Sequence, residues 1–267
     1  MAMKPALAGA AVLLLGVAAT APAAYAGGTI SACGVIITTA GNYTVTTNLT
    51  SSSGNKPCIG IAASDVGIDL QGHMITATGA ASGGDAITDN FPGGGVSRNV
   101  IIANGTIQGF SEAIFFIVGA SFVTIEKMNL IENGLGFASF GEYNFVIDSQ
   151  VNNNQRGMIF NHSHNVVINS QANNNAEVGM AFLGSHNTVV NSQANGNKGG
   201  SGIGISGGSD NLVSGDTADD NNIGISVVCP SNLFGNSAHD NTSGDDIVTS
   251  VPSGSLSCTR LDNTPAP

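Results

Sequence analysis

Between Gly136 and Asn197 the chain repeats itself three times, as GFASFGEYNFVIDSQVNNN, GMIFNHSHNVVINSQANNN and GMAFLGSHNTVVNSQANGN. Short runs of alternating apolar and polar residues recur inside each copy, and the whole pattern returns every 21 to 22 residues. Each copy opens on a glycine (Gly136, Gly157, Gly179), carries an Asn eight residues on (Asn144, Asn165, Asn187) and closes on another (Asn154, Asn175, Asn197). Alternation bounded by Gly and Asn predicts half-buried strands, and repetition at this period predicts a stack of coils. The repeats lack the leucines of a leucine-rich repeat, and Asn, Gly, Ser and β-branched residues disfavour helix. In the Asn165 coil the inward positions are Asn165, Val167, Ser170, Ala172 and Asn175. The same offsets give Val123, Ile125, Met128, Leu130 and Asn133 two coils earlier, and Asn187, Val189, Ser192, Ala194 and Asn197 one coil later. Equal offsets must stack, so the corner asparagines predict amide ladders with a step of ~4.8 Å. Asn also tolerates the left-handed backbone of a sharp corner.

The pattern extends in both directions. Anchors at Asn99, Val123, Asn144, Asn165, Asn187, Asn211 and Asn232 continue it, with a second series at Asn133, Asn154, Asn175, Asn197, Asn221 and Asn241. Upstream, two β-branched runs around Gly41-Asn42 predict a strand pair that covers the exposed end of the stack. Gly79 to Gly95 is Gly-rich and breaks the period, which predicts a protruding loop. The expected architecture is all-β: a single-stranded right-handed parallel β-helix (solenoid) of about nine coils with an N-terminal β cap. Residues 1–26 read as a secretion signal: Lys4, the apolar run Leu7 to Ala19, then Ala24-Tyr25-Ala26 before Gly27. That run is shorter than the ~20 residues of a membrane span. Residues 27–58 are assigned to cap strands, 59–258 to coils with a C-terminal closure, and 259–267 to a frayed tail.

Composition narrows the partners. Without Lys4, six basic residues face 18 acidic ones, a net charge of −12. That balance argues against nucleic acid, whose binding rests on Lys and Arg. The four cysteines sit as one pair near each end of an exported chain, which predicts disulfides Cys33–Cys58 and Cys229–Cys258. The other pairings would join opposite ends of an elongated molecule, beyond the ~7 Å limit between Cα atoms. A secreted, periplasmic or cell-surface location follows.

The segment Val66-Gly67-Ile68-Asp69-Leu70-Gln71-Gly72-His73-Met74-Ile75 and the S-x-N…N coils resemble the right-handed parallel β-helix repeat proteins of the pectin-lyase-like superfamily, especially the repeat domain of NosD-like periplasmic copper-binding proteins. The resemblance runs from about Cys33 to Cys258 and implies the fold. The superfamily holds pectate and alginate lyases, polygalacturonases, epimerases and adhesins, so fold alone assigns no activity. Pectate-lyase chemistry implies Ca²⁺ on clustered Asp with an Arg base, whereas only Arg98, Arg156 and Arg260 are present, none beside such a cluster. The alginate-epimerase D-P-H motif is absent.

Candidate chemistry sits on the variable position of S-x-N. Coil by coil it is assigned as Arg98, Phe122, Tyr143, His164, His186, Asp210 and Ser231. Tyr143, His164, His186, Arg98 and Asp210 are candidate catalytic residues, because a lyase or epimerase exchanges a sugar C–H proton through Tyr or His beside a carboxylate neutraliser. Phe122 and Tyr143 are candidate platforms for sugar rings. Gln150, Gln171 and Gln193 lead a face of amides suited to the hydroxyls of a neutral polysaccharide. Lys127 and Asp148 are expected to form a cross-coil ion pair. Phe116, Ala138, Ile159 and Ala181 share an apolar outward offset that calls for a covering loop or a partner. Asp219, Asp220 and Asp240 form a candidate Ca²⁺ site near the last coils, with His239, Asp245 and Asp246 nearby. His162, His164 and His186 are the metal-binding alternative. The leading function is a non-catalytic or glycan-binding surface module that requires no cofactor and takes neutral or acidic polysaccharide. A polysaccharide lyase or epimerase is the first alternative, and a periplasmic metal-handling protein the second.

Overall fold

The computed structural model describes residues 27–265 apart from 53, 55, 80–82, 244–246 and 254–255. The assigned signal segment, Asp245 and Asp246 lie outside the described residues. The chain forms a right-handed parallel β-solenoid of about nine turns. One long sheet runs from Thr29–Ile30 through Gly41–Val45, Val66–Asp69, Arg98–Gln108 and Ser121–Ile131 to Thr259–Leu261, and a second from Val35–Ile37 to Ile247–Ser250. Every strand pair is parallel, so each coil is hydrogen-bonded to the next along its length. A third, short strip of bridges joins Gln150, Gln171, Gln193, Thr217 and Ser237.

The inward columns are those expected from the pattern. Ile125, Val146, Val167, Val189 and Val213 are fully buried in one file, with Leu130, Val151, Ala172, Ala194 and Ala218 in another. Phe160 and Phe182 stack face to face inside, 4.7 Å apart and 2° from parallel. Burying each such ring contributes about 1.5–3 kcal/mol. The asparagines carry the polar half of the interior. Val123 N–H donates to Asn144 Oδ1 at 3.0 Å, Asn144 to Asn165, Asn165 to Asn187 and Asn187 to Asn211. A parallel file links Asn133, Asn154, Asn175, Asn197 and Asn221. A third runs through Ser149, Ser170, Ser192, Asp216, Asn236 and Asn263. These side chains satisfy backbone N–H groups that the corners would otherwise leave buried and unpaired, at ~1–3 kcal/mol each. The repeat glycines leave room for them. A Cβ on Gly157 would lie 2.2 Å from Gly179 O and 3.0 Å from Asn175 Nδ2.

Several expectations are corrected. The ladder asparagines do not take the left-handed backbone; the residue before each one does, as at Tyr143, Asn153, His164 and Asn174. The cap strands are present as expected, and they stack as part of the solenoid rather than standing apart from it. Gly41–Val45 and Leu49–Ser51 are parallel to Val66–Asp69 and Met74–Ala77, so the cap is itself a first coil. The Gly79–Gly95 stretch contributes a strand, Asp85–Thr88, between Ile59–Ile61 and Glu112–Phe116. Of the assigned tail, the described residues pair as strands: Thr259–Leu261 with Ser231–Phe234, and Thr264–Pro265 with Ser237–Ala238. Asn263 extends the ladder there, donating to Leu233 O at 2.9 Å. On the apolar outward file the register places Phe115, not Phe116, with Ala138, Ile159 and Ala181. Phe140 covers it, edge-on to Phe115 at 5.3 Å. Both disulfides form as expected, Cys33–Cys58 and Cys229–Cys258.

Candidate functional site

Where the second sheet turns into the first, one residue of each coil must adopt a left-handed backbone. These residues are Asp65, Asn99, Phe122, Tyr143, His164, His186 and Asp210, with φ between 54° and 63°. Asn, Asp and Gly accept this conformation at least cost, whereas a bulky side chain strains it. The other two corners follow that rule except at Lys127 and Glu132: one carries Asn104, Lys127, Asp148, Asn169, Asn191, Gly215 and Gly235, the other Glu132, Asn153, Asn174, Gly196, Asp220 and Asp240. Among the described residues, rings in left-handed backbone appear only at the first corner.

The four rings make one continuous stack. Phe122 and Tyr143 lie 5.3 Å apart and 11° from parallel, Tyr143 and His164 4.6 Å and 17°, and His164 and His186 4.9 Å and 6°. Asp210 follows, its Oδ2 4.0 Å from His186 Nε2 and accepting from Ser209 Oγ at 2.7 Å. At the other end Asn99 Nδ2 donates to Asp65 Oδ1 at 2.7 Å. Each stacked pair contributes ~0.5–1.5 kcal/mol, set against left-handed strain of ~1–3 kcal/mol. Rings at this corner therefore give little net stability.

The stack changes what the rings can do. The faces of Tyr143 and His164 are covered by their neighbours, so Tyr143 is not a platform for a sugar ring. What it presents is an edge: the Tyr143 hydroxyl and the outer edges of two imidazoles in a row. His164 Nδ1 is enclosed and without a partner among the described residues, which leaves its other edge for a ligand. Phe122, 52% exposed, ends the ring series, and beside it opens a groove of ≈ 370 Å³. Arg98, Val118, Phe122, Glu142, Tyr143 and His162 line it. Arg98 does not stand in the ring column: it aligns with Ser121, and Asn99 takes the column position. Ser231 is likewise displaced, since it aligns with Asn211 and sits buried in the ladder in place of Asn232, so the column reaches Pro230.

The remaining candidates separate. Gln150, Gln171 and Gln193 are aligned as expected. The neighbouring file is committed to the backbone: Asn152, Asn173 and Asn195 accept from the N–H groups of Asn173, Asn195 and Asp219 at 2.8 Å. Asp219 Oδ1 accepts from His239 N–H, while Asp220 and Asp240 are corner residues of successive coils. No three His, Cys, Asp or Glu side chains converge as a metal site among the described residues. The parallel imidazoles of His164 and His186 point their lone pairs the same way rather than at one ion. Lys127 pairs with its neighbour Glu126 at 2.6 Å, both exposed, and not with Asp148.

Four carboxyls are not signalled by the repeat pattern. Glu112 lies directly across from Asp85 on adjacent strands. Burial, then the Asp85 charge, pushes Glu112 up to about 7, and burial raises Asp85. Asp216, 1% exposed, takes a serine's place in a ladder, and burial pushes it up to about 7. Asp89, also 1% exposed, is raised by burial while its carboxylate accepts from Ile117 and Ser97 N–H at 2.9 and 3.2 Å. Only residue spacing across the irregular 79–97 stretch could have signalled the first and last of these.

The family model described as right handed beta helix region matches residues 112–253, more than half of the chain. No curated protein sequence matches significantly. Among solved structures, the Dettilon tailspike protein superposes with a TM-score of 0.61 at 14% identity, over 86% of this chain and 52% of its own. The chain thus spans about half the length of the tailspike. The A-module of the Azotobacter vinelandii mannuronan C-5 epimerase AlgE4 gives 0.60 at 17% identity, over 84% and 70%. The periplasmic alginate epimerase AlgG gives 0.59 at 11%, over 84% and 69%. At these identities the likeness is one of fold.

Proposed function

From a chain that belongs to the right-handed β-helix region family, we propose a polysaccharide-binding protein that works outside the reducing cytoplasm and holds its ligand along the first-corner ring stack and the groove at its foot. One observation carries this reading: among the described residues the rings in left-handed backbone gather at one corner, two of them are the bulky Phe122 and Tyr143, and Phe122, Tyr143 and His186 are exposed with His164 half-buried. The fold would be served as well by Asn, so the rings are explained by what they contact outside the chain. An apolar ring at Phe122, a hydroxyl and imidazole edges above it, and Arg98 beside it suit a sugar polymer with alternating C–H and hydroxyl surfaces. The two disulfides suit an oxidising compartment, and the epimerases of similar fold are named for sugar polymers. Titrating the protein against a panel of acidic and neutral polysaccharides tests the reading: saturable binding to one class supports it, and binding to none overturns it.

The row of Tyr143, His164 and His186 with Arg98 at its foot also supports a lyase or epimerase, with an imidazole or phenolate edge as base and the guanidinium facing a carboxylate. The same panel, followed for unsaturated or epimerised products, separates the two readings. Turnover that disappears in His164→Ala/His186→Ala selects the enzyme.

A further inference from the structure

The groove has a wall that the repeat pattern does not provide. Val118 and Gly119, which line it, stand on a short turn after the second sheet; Val96, on the segment arriving from the preceding coil that carries the lining residue Arg98, packs against Gly119. Val96 and Val118 are 48% and 62% exposed, and a Cβ at Gly119 would lie 3.4 Å from Val96, so the two segments touch. Backbone pairing between them is sparse, with Ser121 N–H donating to Ser97 O at 3.2 Å. A single buried side chain fastens them. Asp89 Oδ1 accepts from Ile117 N–H at 2.9 Å, at the start of the Val118 turn, and Oδ2 accepts from Ser97 N–H at 3.2 Å, between Val96 and Arg98. The Asp89 loop is itself held down by Phe91, whose ring lies over Gly60, 2.8 Å from where a Cβ there would stand.

We infer that Asp89 is the positioning residue of the groove: one carboxylate holds both segments of the apolar wall, and through Ser97 it sets the reach of Arg98. This deepens the polysaccharide-binding reading and rests on it. Asp89 touches no ligand. Its two oxygens are the acceptors of two N–H groups that come from different coils, an arrangement that neither Asn nor Ser can reproduce, since each offers only one oxygen. With Asn, an NH₂ would face one of the N–H donors, and that segment would come loose.

The test compares wild type, Asp89→Asn and Phe122→Asn with the double variant. Amide hydrogen exchange followed by mass spectrometry reads the clamp without any ligand: exchange at Ile117 or Ser97 should rise at least tenfold in Asp89→Asn, with the Asn144–Asn211 ladder unchanged. Affinity for the polysaccharide that wild type binds should fall about tenfold. Because the residue acts through the groove, adding Asp89→Asn to Phe122→Asn should cost little more. Unchanged exchange overturns the clamp. Faster exchange with unchanged affinity, or fully additive losses in the double variant, overturns its role in binding. Should Asp89→Asn lose the solenoid altogether, Gly60→Ala displaces Phe91, and with it the tip of the exposed Ile36, while leaving the carboxylate in place, and must weaken binding in the same non-additive way. A wild-type protein that binds no polysaccharide overturns the functional reading instead, with the clamp still decided by exchange.

Discussion

Asp216 replaces the serine of its ladder with a carboxylate, and the replacement has a measurable cost. The group is 1% exposed, and its two oxygens accept from Ser192 N–H at 2.7 Å and Ser214 N–H at 2.9 Å. Burial outweighs these bonds and lifts it from 3.8 to about 7. The sign follows from linkage. The unfolded chain releases this proton near 3.8, the folded chain only near 7, so between those values the folded state binds more protons. Stability therefore falls as pH rises through that window, by about 1.4 kcal/mol per pH unit and about 4 kcal/mol in all. Asp216→Asn removes the charge and with it this slope. The amide can take the stance of Asn236, which donates to Val213 O at 2.9 Å and accepts from the Asp216 N–H. Losing the acceptor for Ser214 N–H costs about 1 kcal/mol. The variant should thus be about 2–3 kcal/mol more stable than wild type at pH 8 and no more stable at pH 4. Urea unfolding followed by far-ultraviolet circular dichroism at both pH values reads the difference, provided the m-values agree. A variant that is less stable at pH 8, or that keeps the wild-type pH slope, refutes the reasoning.

The other expectations follow from the same geometry. Glu112→Gln should raise the melting temperature at pH 8 but not at pH 5, because it relieves the opposition to Asp85 that appears as Glu112 ionises through about 7. Asn175→Ala strands Asn154 N–H and Val151 O, both now bonded to it, and should cost about 3 kcal/mol in chemical unfolding. Cys229→Ser/Cys258→Ser opens the link that fastens the last strand. Limited proteolysis should then trim the chain after about Val228 while the earlier coils persist, since stability in a stack is local to neighbours.

Most of the interior was legible because a stack forces equal offsets to coincide, and the files from Ile125 to Val213 and from Leu130 to Ala218 show this directly. Register failed where a local string imitated the anchor. Ser97-Arg98-Asn99 looks like S-x-N, yet burial of Val100 and Ile102 fixes the pairing, and a shift of one residue would turn both outward. Asn232 misleads in the same way beside Ser231. The strand Asp85–Thr88 was hidden by its glycine-rich flanks, so neither the Glu112–Asp85 pair nor the Asp89 clamp had a register to be read from. The residues of the ring column were legible as a variable, outward series. Their face-to-face stacking was not, because alternation gives the side of the sheet and not the rotamer, and it is the stacking that turns platforms into edges.

The central claim is that the rings are there for a ligand and not for the fold. Its most direct test is the double variant Phe122→Asn/Tyr143→Asn, measured for unfolding free energy and for affinity toward the polysaccharide that wild type binds. Relief of left-handed strain and loss of stacking are of similar size, so stability should stay within about 1 kcal/mol of wild type while affinity drops at least tenfold. A variant that unfolds readily, or that binds as tightly as wild type, would contradict the account.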